Sequence, residues 1–178
     1  MTTPSPVIQF WKAAGPEMWF AKNTDFDTAF RAGFLESHMA AARRELDGWS
    51  DTAEGSLALL LLLDQFPRNA FRDTAHMFAT DSLALYFARK ALAAGHHDHI
   101  DHDLKVFLIL PFEHSENLAD QELAVRLCRP LGGSTLTFAE IHLDIIRRFG
   151  RFPHRNAVLG RDTTPEEAAF LDQGGFKG

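Results

Sequence analysis

Three short polar segments each follow an apolar segment, and their side chains have the chemistry to hold an anion or to move a proton. These segments are 64–69, 111–116 and 147–156. We predict that acids of the first two and arginines of the third meet in one pocket between helix ends. An arginine that is not paired with an acid would then face a ligand. The predicted ligand-binding residues are Asp64, Arg68, Glu113, His114, Arg148, Arg151, His154 and Arg155.

Asp64 is the residue of the first segment that most needs a partner. It follows the apolar run Leu57–Leu63 and lies near the end of a predicted helix, where the helix dipole disfavours a carboxylate. A partly buried carboxylate at that place needs a cation or several hydrogen-bond donors. Arg68 lies on the same segment, but Pro67 breaks the helical spacing between the two residues. The arginines of the third segment are the other candidates.

The second segment contains a candidate catalytic histidine, because a histidine beside carboxylates can shuttle a proton. In this interpretation His114 is the general base, and Glu113 or Glu116 orients it. Arg151 and Arg155 would hold the charge of the substrate. The alternative is that His114 makes a structural hydrogen bond between helices.

Other residues that often carry chemistry do not form a recognisable motif. The segment His96–Asp103 is rich in histidine and aspartate, but its consecutive residues lack the spacing that fixes a coordination shell. The chain has no motif of a di-iron bundle, a zinc protease, a phosphate-binding loop or a serine hydrolase. Cys128 lies among apolar residues, which predicts a buried side chain rather than a nucleophile. We therefore predict no metal and no cofactor.

The composition predicts one globular domain that comprises residues 1–178. Apolar residues make up 46% of the 178 residues and charged residues 24%, which is ordinary for a domain of roughly 100–200 residues.

The net charge of −6 argues against nucleic-acid binding. The longest apolar run is far short of the ~20 residues that span a bilayer, and no secretory signal is visible. We therefore predict a cytoplasmic protein that binds no membrane, and the oligomeric state stays open.

Glycine and proline divide the chain into segments of helical length, which predicts an all-α fold of about eight helices in antiparallel hairpins. Some predicted boundaries lie at glycine or proline, and the tail from about Gly174 is predicted to fray. The predicted segments are Val7–Ala13; Thr24 or Asp25 to Leu46, ended by Gly48; Ser50 or Thr52 to Pro67; a turn of helix at 74–79; Thr80 or Asp81 to Gly95; Leu104–Leu110, closed by Pro111; Ser115 to Pro130; Thr135 or Thr137 to Gly150; and a last helix capped by Thr164.

The polar segments and their surroundings resemble a bacterial domain-of-unknown-function family, number 924, and the likeness extends over nearly the whole chain. The resemblance implies an all-α fold similar to tetratricopeptide-repeat proteins, in which helix pairs stack into a superhelix. The family has no established activity, so the resemblance implies no catalytic residue. The motifs that carry it are Trp19–Lys22, Leu61–Asn69, Leu110–Glu116, Asp120–Gln121, Arg148–Asn156 and Leu159–Arg161.

Three functional interpretations follow from these observations. The first is a tetratricopeptide-like binding module, whose stacked helices hold a peptide or a small anionic ligand among arginine, histidine and acidic side chains. The second is a hydrolase or lyase of a small anionic substrate with a histidine base. The third is that the polar segments are purely structural and only hold helix ends together.

Overall fold

The computed structural model describes residues 3–177, and within this range the chain forms helices and no strand. The all-α prediction is therefore confirmed. The chain folds as two compact units: the first ends at Pro111 and the second begins at Phe112. The single-domain organisation and the tetratricopeptide-like stacking stay predictions. No helix in residues 3–177 is both long enough and apolar enough to cross a membrane.

The first unit is built mainly from the amino-terminal helices and a central apolar helix. Its aromatic core includes Trp11, Phe30 and Phe66, which are fully buried, and the rings of Trp11 and Phe30 lie 5.4 Å apart. Short 3-10 helices connect the longer elements at Asp47–Asp51, Ala75–Phe78, His96–His99 and His102–Leu104. The helices are α1 (Ser5–Ala14), α2 (Pro16–Trp19), α3 (Thr24–Ala42), α4 (Ala53–Leu60), α5 (Phe66–Ala70), α6 (Asp81–Ala93) and α7 (Val106–Glu113), in which the boundary between the units falls.

Helix α3 differs from its predicted bounds at both ends. Asn23 is its N-cap, because the Asn23 side chain accepts a hydrogen bond from the backbone N–H of Phe26. At the other end the helix stops at Ala42, and Arg44 takes a left-handed conformation with φ of 66°. The predicted end at Leu46 and Gly48 is therefore wrong, since an arginine adopts the conformation that is usually left to glycine.

Pro67 does not end the central helix, contrary to the prediction. A π-helical turn at Leu61–Gln65 joins α4 to α5, and Pro67 lies inside the continuing helix. Proline has no N–H, so the carbonyls of Leu62 and Leu63 lose the donor that position 67 would supply. The buried side chains of His38 and Thr80 replace it: His38 Nδ1–H donates to Leu62 O at 2.8 Å, and the Thr80 hydroxyl donates to Leu63 O. The predicted cap at Thr52 is confirmed.

Helix α7 also continues through a proline that was predicted to close it. Pro111 lies within Val106–Glu113, and the apolar residues of this helix are buried. Burial on all sides stabilises the helix against a proline that costs about 3 kcal/mol in a helix interior. The predicted stop at Pro111 is therefore wrong, and Glu113 belongs to the last turn of the helix.

The second unit contains three longer helices and a short 3-10 helix at Pro153–Arg155. Helices α8 and α9 pack against each other, as expected for neighbours joined by a short connection. A smaller apolar core is formed by Ile145, Ile146 and Phe152. The helices are α8 (Leu118–Cys128), α9 (Gly133–Phe149) and α10 (Pro165–Asp172).

The starts of these helices confirm one prediction and correct two. Thr164 caps α10 in a capping box with Glu167, as predicted. Helix α8 is capped by Asn117 rather than Ser115, whose hydroxyl donates to Asp120 at 2.8 Å. Helix α9 begins at Gly133 rather than at Thr135 or Thr137.

The segment that follows α10 was predicted to fray, but it packs against the second unit. The backbone N–H of Gly175 donates to Phe170 O at 2.9 Å. Phe176 is partly buried against the apolar core of this unit. The packed part of the chain therefore reaches Phe176.

Candidate functional site

Asp64 and Arg68 form an ion pair inside the first unit. Arg68 Nη1 lies 3.3 Å from the carboxylate of Asp64 and 2.9 Å from that of Asp81, and it donates to the backbone carbonyl of Asp64 at 2.8 Å. Gln65 also donates to the Asp64 carboxylate, at 2.7 Å. Burial lowers the pKa of Arg68, but Asp64 and Asp81 outweigh it and raise the pKa above the ordinary value. Arg68 and Gln65 therefore both contribute to holding the buried Asp64 charge.

Glu113 is the most deeply buried acid of the second unit, with 1% of its surface exposed. One carboxylate oxygen accepts a hydrogen bond from Cys128 Sγ at 3.3 Å, and the other lies 3.3 Å from His142 Nδ1. Glu113 therefore holds the imidazole of His142, a residue of α9. The sequence analysis had instead predicted that Glu113 or Glu116 orients the neighbouring His114. A carboxylate on Nδ1 favours the tautomer with its proton there and leaves Nε2 as the acceptor.

His142 was missed at the sequence level, although a signal for it exists. Helix α9 buries Ala139, His142, Leu143 and Ile146, which lie on one helical face. A histidine in that apolar stripe is a buried polar residue and needs a hydrogen-bond partner. Its partner, Glu113, is distant in sequence, so spacing alone could not supply the pair.

Three basic side chains lie close to the ring of Phe152 and a fourth lies next to one of them, and we call the four the histidine cluster. The centroid of Phe152 lies 5.4 Å from the ring of His142 and 5.6 Å from the ring of His154, and 4.4 Å from the guanidinium carbon of Arg155. The ring of His114 lies 6.3 Å from that of His142. The histidine cluster comprises His114, His142, His154 and Arg155.

His154 is held in its neutral form. Its pKa is lowered to about 3, mainly by burial and in addition by the nearby Arg155, His142 and His114. Its Nδ1 is buried and has no hydrogen-bond partner among residues 3–177. A neutral imidazole can either donate or accept a hydrogen bond, so His154 can serve a ligand without a change of charge.

Glu116 fixes the backbone beside the histidine cluster. Its carboxylate accepts hydrogen bonds from Arg161, at 2.8 and 3.1 Å, and from the backbone N–H of Phe152 at 2.8 Å. Arg161 also donates to Phe152 O at 3.0 Å. Burial raises the pKa of Glu116, but Arg161 and the Phe152 N–H outweigh it, so the pKa is lower than usual.

Two predicted ligand-binding arginines are held by other partners. Arg151 donates two hydrogen bonds to Glu167, at 2.6 and 2.8 Å, and a third to Asp162 O at 2.7 Å. Arg151 is the main cause that lowers the pKa of Glu167, to about 2. Arg148 is exposed, lies 3.4 Å from Asp144 and covers the ring of Phe149. Of the predicted residues, the histidine cluster therefore contains His114, His154 and Arg155, with Glu113 bonded to His142.

The comparisons with known proteins agree with the resemblance seen in the sequence. A family model described as "Bacterial protein of unknown function (DUF924)" matches residues 7–175. The chain belongs to this family. A solved structure of a protein of unknown function from Agrobacterium tumefaciens is 56% identical, covers 96% of this chain and 97% of its own, and has a TM-score of 0.94. None of the curated proteins compared with the chain matches it.

In this DUF924 member, the histidine cluster offers hydrogen-bond donors and one guanidinium rather than a metal site. Among residues 3–177, no three histidine, cysteine, aspartate or glutamate side chains are arranged to hold a metal ion. An imidazole N–H and a guanidinium are suited to the oxygen atoms of a phosphate or a carboxylate. The Glu113–His142 pair could also accept a proton at Nε2.

Proposed function

We propose that the second unit binds a small anionic ligand through the histidine cluster. The observation that carries the proposal is the convergence of His142, His154 and Arg155 on the ring of Phe152, with the ring of His114 next to that of His142. An anion beside these groups receives charge-assisted hydrogen bonds from Arg155 and neutral ones from the imidazoles. The ligand is small rather than a nucleic acid, because the chain has a net charge of −6.

The charges around the histidine cluster support an anionic ligand. Glu116 is bonded to Arg161, and Glu167 is bonded to Arg151, so the charge of each of these two acids is offset by a cation. The positive charge of Arg155 acts on His154, since it contributes to the low pKa of that imidazole. An anion near His154 would interact favourably with the same charge.

A second candidate function is proton abstraction by His142, and the observation that favours it is the contact between Glu113 and His142. A buried carboxylate on Nδ1 orients an imidazole and leaves Nε2 to act as a general base. The reaction would be hydrolysis or elimination on a small anionic substrate. Release of phenol from phenyl phosphate by the native protein and not by His142→Gln would favour catalysis over binding alone.

The purely structural interpretation applies best to the first polar segment. Asp64 and Arg68 bond to each other and to Asp81 and Gln65, so we propose that they stabilise the helix around Pro67 instead of contacting a ligand. The histidine cluster could also be purely structural, and the binding experiment must exclude this interpretation.

The test is the thermal stabilisation of the native protein and of Arg155→Gln by inorganic phosphate. A ligand at 100 times its Kd stabilises the folded state by about 2.7 kcal/mol, so the melting temperature of the native protein should rise with phosphate. Phosphate also stabilises proteins by exclusion from their surface, and the matched control is therefore Arg148→Gln, which removes an exposed guanidinium.

We expect the native protein and Arg148→Gln to gain equal stability from phosphate, and Arg155→Gln to lose the saturable part of that gain. Arg155→Lys keeps the positive charge but loses the planar guanidinium group, so it should still bind phosphate, with lower affinity than the native protein. Equal gains in all four proteins would contradict the proposal. An Arg155→Gln protein that does not fold, together with no phosphate response in the native protein, would favour the structural interpretation.

A further inference from the structure

Phe176 lies against two imidazoles of the histidine cluster. Its ring centroid is 4.7 Å from that of His142 and 5.4 Å from that of His154, and both contacts are edge-to-face with interplanar angles of 77°. The side chain is partly buried there. A planar apolar group from the protein itself therefore occupies the space beside the proposed anion site.

Two glycines bring Phe176 to this position. Gly174 has a φ of +84°, a conformation in which the chain reverses direction after a helix. Gly175 then passes over the ring of Phe170, where an added Cβ would meet the ring atoms at 2.6 Å. The chain reversal at Gly174 and the close approach of Gly175 to the ring of Phe170 together place Phe176 beside His142 and His154.

We propose that Phe176 is a displaceable plug of the histidine cluster and that the ligand carries a planar apolar group which takes its place. The inference rests on the proposed function and specifies the class of ligand: a phosphate or carboxylate joined to an aromatic ring. The anionic group contacts Arg155 and the imidazoles, and the ring makes the edge contacts that Phe176 makes in its absence.

The energies of these contacts fit a plug that can be displaced. An aromatic pair contributes about 0.5–1.5 kcal/mol beyond its area burial, and the consecutive glycines that precede Phe176 give the segment conformational freedom. A group on a short flexible tether competes at an effective concentration on the order of millimolar. A ligand ring regains the same contacts, and its anionic group adds the hydrogen bonds that Phe176 cannot make.

The experiment measures the affinity of inorganic phosphate and of phenyl phosphate for the native protein and for Phe176→Ala by calorimetric titration. Removal of the plug should raise the affinity for phenyl phosphate by about tenfold, because the phenyl ring then buries its surface without competition. The affinity for inorganic phosphate should change by less than about twofold. Phe176→Leu should give an intermediate result, and Phe20→Ala, at an exposed ring of the first unit, is the control for the loss of a phenylalanine.

A second measurement needs no ligand: the rate at which diethyl pyrocarbonate modifies His142 and His154, followed by mass spectrometry. Neutral imidazoles react with this reagent, so Phe176→Ala should speed the modification of both residues severalfold and leave that of His102 unchanged. An unchanged rate, or an equal affinity of both proteins for phenyl phosphate, would overturn the plug. If neither compound binds either protein, the proposed function fails, and displacement by a ligand fails with it.

Discussion

At the scale of single residues, Glu113 shows how a buried carboxylate is kept in the second unit. Burial of an acid is costly unless donors replace water, and here Cys128 Sγ and His142 Nδ1 lie on opposite carboxylate oxygens. Burial and Glu113 together raise the pKa of the Cys128 thiol far above its usual value. The thiol therefore stays protonated and donates to Glu113, which agrees with the expectation that Cys128 is not a nucleophile.

His154 leads to a prediction about stability and pH. Its pKa is about 3 in the folded protein against 6.5 in the unfolded chain. Between these values the unfolded chain binds a proton that the folded protein does not, so this residue lowers the free energy of unfolding as the pH falls from 6.5 towards 3. His154→Gln has no such proton, and its free energy of unfolding should decline less over this range.

Urea denaturation at a series of pH values measures this difference. The matched control is His102→Gln, which removes an exposed histidine of the first unit and should follow the native pH dependence. If His154→Gln and the native protein lose stability in parallel below pH 6.5, then His154 is not held neutral in the folded state.

At the scale of elements, the central helix of the first unit depends on side chains to compensate for Pro67. His38 and Thr80 donate to the carbonyls of Leu62 and Leu63, next to the π-helical turn. Burial is the main reason why the pKa of His38 is lower than its ordinary value, which keeps the imidazole neutral. The helix therefore continues through a proline because side chains from α3 and from the residue before α6 complete its hydrogen bonds.

Thr80→Val tests this compensation, because valine keeps the shape of threonine but removes the donor to Leu63 O. A buried carbonyl without its partner costs about 1–3 kcal/mol, so the free energy of unfolding should fall by that amount. Thr137→Val is the control, since the exposed Thr137 hydroxyl also donates to a backbone carbonyl, that of Gly133. Equal small effects of the two substitutions in chemical denaturation would contradict this explanation of Pro67.

The element boundaries that the sequence predicted wrongly have different physical causes. Pro67 is tolerated because distant side chains supply donors, and local sequence does not reveal such donors. Ser115 and Asn117 are both residue types that cap helices well. Asn117 caps α8, and the Ser115 hydroxyl donates a hydrogen bond to Asp120 instead. Thr164 was predicted correctly because its capping box with Glu167 is local. Local signals fixed the start of α10, whereas tertiary contacts decided that the central helix continues through Pro67.

At the scale of the whole molecule, residues of the predicted site make contacts within each of the two units. Within the second unit His114, His154 and Arg155 belong to the histidine cluster. Within the first unit Arg68 is bonded to Asp64 and Asp81. The sequence identified which polar segments emerge from apolar helices but could not pair them, because arginine and acid partners are interchangeable until the fold selects them.

The match to the DUF924 family covers nearly all of the helices and supplies no activity. The matched residues 7–175 include α1 through α10 except for a few terminal residues. They contain the histidine cluster but not Phe176. A plug at Phe176 could therefore act on a site whose other residues all lie within the family match.

The most direct test of the central claim is a titration of the whole protein with inorganic phosphate at constant pH. The NMR resonances of the imidazole nitrogens report the binding at each step of the titration. We expect the resonances of His114, His142 and His154 to shift together with one Kd, while those of the exposed His102 do not respond. Arg155→Gln should abolish the shared response. No saturable shift at the three clustered histidines, or a response confined to His102, would contradict the claim that the histidine cluster binds an anion.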